Sequence, residues 1–390
     1  MSQTAERILI AGGGIGGLAL AIALALRGRR SLVLEAREAF SPAGAGIQIG
    51  PNGVRVLELL GAAADLRPHV GVPDAIHVYR GSSGKRITAL PLGAWIAERH
   101  GAPYWVAHRA DLHAALKATA ERHPEIEIRT GFGVARVEQD GHVVEVFAAD
   151  GASFTGAALI GADGLWSAVR GFVAPGVSPQ FAGASACRIV LPKAAAGRLA
   201  ENAVGLWLSP KAHLVHYPVR GGDEIAAVVI ADETWQSRVW DAEADPIQLS
   251  AHLSSFDDDL SALLLRAGPW RRWSLNRMVE LPTWAKGRVA LLGDAAHPMF
   301  PYLAQGGVLA LEDAAVLADL LTKGGDEAEA LARYSTLRRE RARRVQEASR
   351  RNGWIYHLGG PMALARDTVM ATAPGASLMA GLDWLYGWKP

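Results

Sequence analysis

Three glycines and one acid near the N-terminus have the spacing of a dinucleotide-binding motif. Gly12, Gly14 and Gly17 follow a short apolar run, and Glu35 closes the next one. In such a motif the glycines permit a tight turn, close approach of a pyrophosphate and close packing of helix on strand. The acid can accept hydrogen bonds from a ribose hydroxyl. The pattern predicts an unphosphorylated adenosine ribose, which leaves FAD and NAD open. The alternative is a glycine turn that serves packing alone.

Two aspartates follow later apolar runs and favour FAD. Asp163 precedes Gly164, and Asp294 is followed by the pair Gly306 and Gly307 and a long apolar stretch. An aspartate at the carboxyl end of a parallel strand can hold a ribose or ribityl hydroxyl. A helix that begins at the glycine pair would direct its positive end at a reduced flavin, which is an anion at neutral pH.

His213 and Tyr217 share one face of a predicted strand, because side chains four residues apart in a strand point the same way. His216 lies on the opposite face by the same rule, so the two histidines are poor ligands for one metal ion. No other metal-binding pattern is visible in the sequence, and we expect no metal. The alternative for His213 is a strand histidine in solvent or satisfied in the core.

The elements that must position these residues form a βαβ unit at residues 8–11, 15–26 and 31–34. Further buried strands are predicted at 158–161 and 289–293. The nucleotide-binding elements therefore come from separated parts of the chain. A mostly β segment is inserted among them.

Composition excludes several classes of protein. The 390 residues carry a formal net charge of +1, which gives no reason to expect nucleic acid or a membrane surface as partner. Residues 8–26 are uncharged, but their five glycines indicate a strand, a turn and a helix rather than a membrane span. The arginine cluster at 338–351 is interpreted as a solvated, salt-bridged helix face. A single cysteine, Cys187, fits a reducing compartment, so we expect a cytoplasmic location and a core position for its side chain.

Taken together, these features resemble the class A flavoprotein aromatic hydroxylases, typified by p-hydroxybenzoate, salicylate and 3-hydroxybenzoate hydroxylases. The resemblance covers nearly the whole chain. It rests on the glycine motif with Glu35, on His108-Arg109-x-Asp111-Leu112, on Asp163-Gly164-x-x-Ser167-x-x-Arg170, on Gly293-Asp294-Ala-Ala-His297-Pro298 and on Asp383-Trp384-Leu385-Tyr386-Gly387. The chain departs from the family at Val308-Leu309, where an asparagine is frequent, and at Cys187-Arg188, where many relatives have tryptophan before the arginine.

The resemblance implies an α/β fold. It consists of a Rossmann-like FAD-binding domain of the glutathione-reductase type, an inserted mostly-β substrate domain and C-terminal helices. The expected boundaries are 1–74, 100–182 and 279–350 for the discontinuous FAD-binding domain, 75–99 and 183–278 for the substrate-binding sheet, and 351–390 for the C-terminal helical segment.

The resemblance also implies roles for individual residues. Arg109 would contact FAD near the pyrophosphate, Asp163 would serve both FAD and the nicotinamide donor, and Asp294 would hold the ribityl or pyrophosphate region. Residues 46–48 would form the mobile-flavin loop. The predicted FAD contacts are Gly12, Gly14, Ile15, Gly16, Gly17, Glu35, Ala36, Arg37, Gly46, Ile47, Gln48, Arg109, Asp163, Gly164, Asp294, Pro301, Gly306, Gly307 and Val308.

The implied reaction begins when NADH or NADPH reduces FAD. Oxygen then forms a flavin C4a-hydroperoxide, which hydroxylates a phenolic or hydroxylated heteroaromatic substrate. His213, assisted by Tyr217, would deprotonate or hydrogen-bond the phenolic hydroxyl, since the pKa of histidine lies near the operating pH. Pro301 would lie over the active site, where its carbonyl acts on the hydroperoxide.

Several alternatives stay open on the sequence alone. An FAD-dependent dehydrogenase, reductase or oxidase without oxygen insertion would share the nucleotide motifs, as would a flavin-binding sensor that has lost turnover. Arg188 and Arg220 are each either ligands of a substrate carboxylate or structural. A homodimer is the family's common state and is expected here.

Overall fold

The computed structural model describes residues 6–40, 46–239 and 241–390. The strands are β1 (Ile8–Ala11), β2 (Ser31–Leu34), β3 (Gly46–Ile49), β4 (Ala75–Arg80), β5 (Arg86–Pro91), β6 (Trp105–His108), β7 (Ile126–Arg129), β8 (Arg136–Gln139), β9 (Val144–Phe147), β10 (Ser153–Gly156), β11 (Ala158–Gly161), β12 (Gln180–Pro192), β13 (Ala203–Ser209), β14 (Ala212–Val219), β15 (Glu224–Asp232), β16 (Ala242–Glu243), β17 (Arg271–Arg277), β18 (Ala285–Lys286) and β19 (Val289–Leu291). The α-helices are α1 (Ile15–Ala25), α2 (Pro51–Leu59), α3 (Ala63–Leu66), α4 (Gly93–His100), α5 (Arg109–Glu121), α6 (Val169–Val173), α7 (Pro246–Leu253), α8 (Asp258–Arg266), α9 (Gly306–Thr322), α10 (Glu327–Tyr356), α11 (Gly360–Thr372), α12 (Gly375–Ala380) and α13 (Asp383–Tyr386).

The first large sheet collects its strands from distant parts of the chain. Its order is β18-β19-β11-β1-β2-β7, and all of its pairs are parallel except β18 with β19. Every residue of β1, β2 and β11 is buried, as expected for strands covered on both faces. The α/β fold and the convergence of separated segments, both predicted from the sequence, are confirmed.

Two glycines of the first motif are required by the fold itself. Gly12 has φ +103°, and a Cβ there would lie 2.4 Å from the carbonyl oxygen of Ala162. A Cβ on Gly17 would lie 2.0 Å from the carbonyl oxygen of Gly12. The helix that follows, α1, is buried along almost its whole length. Within the described ranges, no helix is both long and apolar enough to span a membrane.

The second large sheet has eight strands in the order β16-β17-β12-β15-β14-β13-β4-β5. It takes strands from residues 75–91 and 180–277, and all of its pairs are antiparallel except β13 with β4. The sequence analysis did not predict α4, α7 or α8. The last two lie inside the segment interpreted as β, and their leucines share a core with this sheet. The same core buries Cys187, whose pKa burial raises to about 12. The domain boundaries themselves stay a prediction.

A buried carboxylate on α9 fixes the loop that precedes this helix. Asp313 is fully buried, and its Oδ2 accepts hydrogen bonds from the backbone N–H of Gly293 at 3.2 Å and lies 2.6 Å from Nε2 of His297. Its Oδ1 accepts from Nε of Arg338 at 2.7 Å. Burial alone would raise the pKa of Asp313, but the charges of His297 and Arg338 outweigh burial and lower it.

The neighbouring carboxylate extends the network to two other helices. Glu312 accepts hydrogen bonds from Arg338 and Arg341 of α10 at 2.8 Å each. It also accepts one from Nδ2 of Asn52 on α2, which in turn donates to Gln305 at the start of α9. The interpretation of the arginine cluster as a solvated helix face is therefore wrong for Arg338, which is buried because it neutralises two buried acids. It holds for Arg343, which pairs with Glu340 and Glu347 on the surface.

We expect Arg338→Met to lower the free energy of unfolding by about 3–5 kcal/mol, because it removes the shared cation from two buried carboxylates. The matched control is Arg343→Met on the same helix, which removes only solvent-exposed pairs and should leave stability unchanged. Urea-induced unfolding followed by tryptophan fluorescence measures both. Equal losses in the two variants would contradict the importance of the buried network.

Candidate active site

A cavity of about 960 Å³ lies between the two large sheets and the C-terminal helices. Its wall includes the β1–α1 turn, the ends of β2 and β11, the start of α9, one face of β14 and part of α12. The carboxyl ends of parallel strands thus meet the face of the eight-stranded sheet at one site. This is where open α/β sheets place their ligands.

Most of the residues predicted to contact FAD line this cavity. They are Gly12, Gly14, Ile15, Gly16, Glu35, Ala36, Arg37, Gly46, Ile47, Gln48, Arg109, Asp163, Gly164, Asp294, Pro301, Gly306 and Gly307. Two others lie behind the wall. Gly17 packs on the carbonyl of Gly12, and Val308 is buried where its methyl groups face Gly53.

Two helix N-termini face the cavity without side-chain caps. Neither Gly14, which precedes α1, nor Gln305, which precedes α9, caps its helix with a side-chain hydrogen bond, and neither first turn contains an acid. A Cβ on Gly14 would meet no described protein atom within 4 Å, so packing does not require glycine there. The free N–H groups and the helix dipoles suit an anionic ligand.

Two of the predicted acids take part in local hydrogen bonds. Oε2 of Glu35 accepts from the backbone N–H of Gly13 at 2.9 Å. Oδ2 of Asp163 accepts from the N–H groups of Ala168 and Val169 at the start of α6. Oδ1 of Asp163 is buried and has no hydrogen-bond partner among the described residues. Burial raises the pKa of Asp163, so a ligand hydroxyl that donates to Oδ1 would stabilise its charged form.

Among the described residues that line the cavity, two arginines, Arg37 and Arg109, supply positive charge. Enclosure by protein lowers the pKa of Arg109, and the charge of Asp294 opposes this change. The two arginines considered for a substrate carboxylate lie elsewhere. Arg188 donates to Asp241 at 2.7 Å and packs over the ring of Trp273.

Arg220, the second of these arginines, lies on the surface. It pairs with Glu224 at 3.2 Å and lies 3.8 Å from Asp111. Neither arginine lines the cavity, so the structure supports the structural alternative for both.

The segment predicted as a mobile-flavin loop forms strand β3, which pairs with β6 in an antiparallel ladder. Residues 41–45, just before it, lie outside the described residues. Tyr217 packs directly on this strand, because a Cβ on Gly46 would lie 2.3 Å from its Cε2 and 2.7 Å from its hydroxyl. Tyr217 therefore faces the glycine-rich end of the cavity.

His213 lines the same cavity, but its partners differ from the predicted one. Its Nδ1 lies 2.8 Å from Nε2 of His357, and its ring contacts those of Tyr302 and Tyr356. The backbone of Tyr217 lies four residues further along β14, about 13 Å away by strand geometry. The hydrogen bond and ring contacts of His213 go to other residues, and assistance from Tyr217 stays a prediction. His357, Tyr302 and Tyr356 are the residues that sequence reasoning missed.

Burial sets the protonation state of this histidine. It lowers the pKa of His213 well below its usual value, and the neighbouring His357 lowers it further. His216, on the opposite face of β14, lies in a different core, as the periodicity predicted. Across the described parts of the chain, no group of three or more potential ligands is placed to hold a metal ion.

Pro301 opens a single 3-10 turn over residues 301–303 and lines the cavity. Its carbonyl accepts a hydrogen bond from the N–H of Ala304 at 3.0 Å, which leaves one lone pair for another donor. Ala304 itself has φ +52°, an uncommon conformation for a residue other than glycine. The turn thus places backbone groups at the cavity wall.

The wall around His213 is largely apolar. Aliphatic and aromatic side chains of the eight-stranded sheet, of the loop before the 3-10 turn and of α11 form it, and they include Val215, Val228, Ile230, Trp273, Phe300 and Met370. The cavity therefore has a polar end at the glycine motifs and an apolar end with a neutral histidine in its wall.

Known proteins are similar to this chain in sequence and in fold. A family model described as "FAD binding domain" matches residues 6–349. The chain is 35% identical to a 3-hydroxybenzoate 6-hydroxylase of Klebsiella oxytoca over 98% of this chain and 97% of that protein. It is 38% identical to 3-amino-4-hydroxybenzoate 2-monooxygenase PtnB3 of Streptomyces platensis over 100% and 98%.

A solved structure of Klebsiella pneumoniae HpxO, complexed with FAD and uric acid, superimposes with a TM-score of 0.86. The match covers 98% of this chain and 96% of that chain at 26% identity. The similarity in sequence and the similarity in fold therefore each cover almost the whole chain. The protein belongs to the FAD-binding-domain family and, within it, to the FAD-dependent aromatic monooxygenases of class A.

Proposed function

We propose that this monooxygenase hydroxylates a phenolic or hydroxylated heteroaromatic ring that lies at the apolar end of the cavity beside His213. The observation that carries the proposal is the position of a buried, neutral histidine in an apolar wall of the cavity that the dinucleotide motifs also line. The names of two relatives, a 3-hydroxybenzoate 6-hydroxylase and a 3-amino-4-hydroxybenzoate 2-monooxygenase, both specify a ring with a hydroxyl group.

The polar end fits FAD. The uncapped N-terminus of α1 would bind the pyrophosphate beside Arg109, and Glu35 and Asp294 would accept hydrogen bonds from ribose and ribityl hydroxyls. The uncapped N-terminus of α9, with Gly306 and Gly307, would face the pyrimidine of the flavin. The chemistry that FAD supplies when bound is acceptance of hydride from NADH or NADPH and activation of O2.

His213 would accept the proton of the ring hydroxyl. A neutral imidazole is a competent base only above its own pKa, and burial has lowered the pKa of His213. The ring oxygen would then carry the negative charge that makes the ring electron-rich. The apolar wall excludes water, which keeps this charge poorly solvated and the ring reactive.

Other properties extend the same proposal. Asp163, with its unpaired Oδ1, would contribute to binding of both FAD and the nicotinamide donor. Pro301 and Tyr217 would line the site where the substrate meets the flavin. A homodimer and a cytoplasmic location are proposed from the family resemblance and the single cysteine.

The decisive experiment supplies ¹⁸O2 and NADH or NADPH to the FAD-loaded protein with a panel of hydroxybenzoates, hydroxypyridines and uncharged phenols. We expect one ¹⁸O atom in a ring-hydroxylated product, measured by mass spectrometry. Substrate oxidation without ¹⁸O in the product would favour the dehydrogenase or oxidase alternative. Absence of NAD(P)H oxidation with every ligand would favour a flavin-binding sensor.

Two glycine substitutions separate cofactor binding from folding. Gly14→Ala places a methyl group in the cavity without a clash, so we expect the dissociation constant of FAD to rise by at least about tenfold, or 1.4 kcal/mol, at unchanged stability of the FAD-free protein. Gly17→Ala places its Cβ against the carbonyl of Gly12 and should lower that stability. Quenching of FAD fluorescence and urea-induced unfolding measure the two effects. Unchanged FAD affinity in Gly14→Ala would contradict the assignment.

Replacing the histidine tests the base. We expect His213→Asn to lower the rate of product formation by about 10²–10⁴-fold while FAD stays bound. The control is His252→Asn, a histidine of α7 that does not line the cavity.

The pH dependence has a definite sign. Because the pKa of His213 is lowered, its base form persists from neutral pH down to below about 6.5 and is lost as the pH falls through the lowered pKa. The acidic limb of kcat/KM should therefore lie below pH 6.5 and disappear in His213→Asn. An unchanged rate and profile in this variant would exclude the base role.

A further inference from the structure

His213 has a second histidine behind it. His213 is 1% exposed, and its Nδ1 lies 2.8 Å from Nε2 of His357, the residue that directly follows α10. At this distance one nitrogen donates a proton and the other accepts it. Because Nδ1 of His213 makes this hydrogen bond, Nε2 of the same ring remains available to a molecule in the cavity.

His357 leads from the buried ring toward solvent. Its side chain is 16% exposed, and its Nδ1 lies 4.0 Å from Oδ1 of Asp232 at the end of β15. The side chain of Asp232 is 58% exposed. One bridging water can connect groups at this separation. The three side chains therefore form a line of increasing exposure from the cavity to the surface.

The charges along this line favour outward movement of a proton. An imidazolium at His213 would be buried among the rings of Tyr302 and Tyr356, which are uncharged at neutral pH and offer it no negative charge. Burial raises the pKa of each tyrosine further, to about 12. At His357, burial lowers the pKa but the carboxylate of Asp232 opposes that effect. A positive charge is thus better tolerated at His357 than at His213.

We propose that His357 is the positioning residue and proton carrier for His213, and that Asp232 is the exit of this path to solvent. The substrate O–H bond breaks as an N–H bond forms at Nε2 of His213. The Nδ1 proton of His213 moves to Nε2 of His357, and the Nδ1 proton of His357 leaves to Asp232 or water. One proton enters and one leaves, and no electrons are transferred. The catalytic part of this inference rests on the proposed function.

The kinetic test compares His357→Ala and His357→Gln with His252→Ala as control. We expect both His357 variants to lower kcat by at least about tenfold, with KM within about twofold of the wild-type value and FAD content unchanged. Glutamine retains hydrogen-bonding groups but cannot carry the proton, and it serves as the decisive variant where alanine impairs folding. Unchanged kcat in His357→Gln would overturn the proposal.

Rescue by small molecules separates proton transfer from packing. Imidazole added to His357→Ala should restore a measurable part of kcat, whereas pyrazole, which has a similar shape but is a much weaker base, should not. Equal rescue by both molecules would indicate a packing role and overturn the proposal, as would rescue by neither. Asp232→Asn should reduce kcat less than the His357 variants, because water reaches this end of the path.

A substrate-free measurement separates this proposal from the proposed function. Nuclear magnetic resonance of the FAD-loaded protein with ¹⁵N-labelled histidine, assigned through the His213 and His357 variants, reports both rings as the pH falls. We expect the two rings to titrate together, with each shared step changing the signals of both, because strongly interacting groups lose their protons as a pair. Independent titration would overturn the relay whichever substrate is used. Failure to hydroxylate any phenol, together with a shared step, would refute only the proposed reaction.

Discussion

The two adjacent acids of α9 and the arginine that neutralises them form the interaction on which the rest of this structure depends. Asp313 and Glu312 are fully buried in a largely apolar helix, and Arg338 of α10 donates to both. Carboxylates so buried require paired cations and hydrogen bonds. Asp313 uses its remaining capacity on Gly293 and His297, so the loop that carries Asp294 is fixed to the middle of α9. The geometry of the polar end of the cavity thus depends on charges that do not line the cavity.

The apolar end of the cavity depends on a different constraint, which is contact between elements far apart in sequence. The eight-stranded sheet supplies His213, and the end of α10 supplies its partner 144 residues later. The C-terminal helices complete the wall. The two ends of the cavity are thus formed by elements of two different sheets and by the C-terminal helices.

Residues of the site could be predicted where the reason for them acts within a short stretch of sequence, and were missed where it depends on distant elements. Gly12 and Gly17 were predicted because their reasons, a positive φ and a close helix–strand contact, act within a few residues. His357 was missed because nothing near it in sequence indicates that it faces β14. Arg338 was misjudged as a solvated residue, although two acids inside an apolar helix indicate that buried cations must exist elsewhere. The helices α7 and α8 were missed despite the N-cap residues Asp245 and Asp257, because the surrounding β pattern was extended across them.

The strand order of the parallel sheet has a consequence for biosynthesis. Its central strand, β1, pairs with β11, which lies some 150 residues later, and β11 pairs with β19, which ends at Leu291. The N-terminal βαβ unit therefore leaves the ribosome long before its sheet neighbours have been made, and long-range closure of this kind is slow. The apolar α1 lacks its partner α9 until some 300 residues have been synthesised. Because the cavity wall includes both the β1–α1 turn and the start of α9, the polar end of the cavity is complete only after α9 has been made.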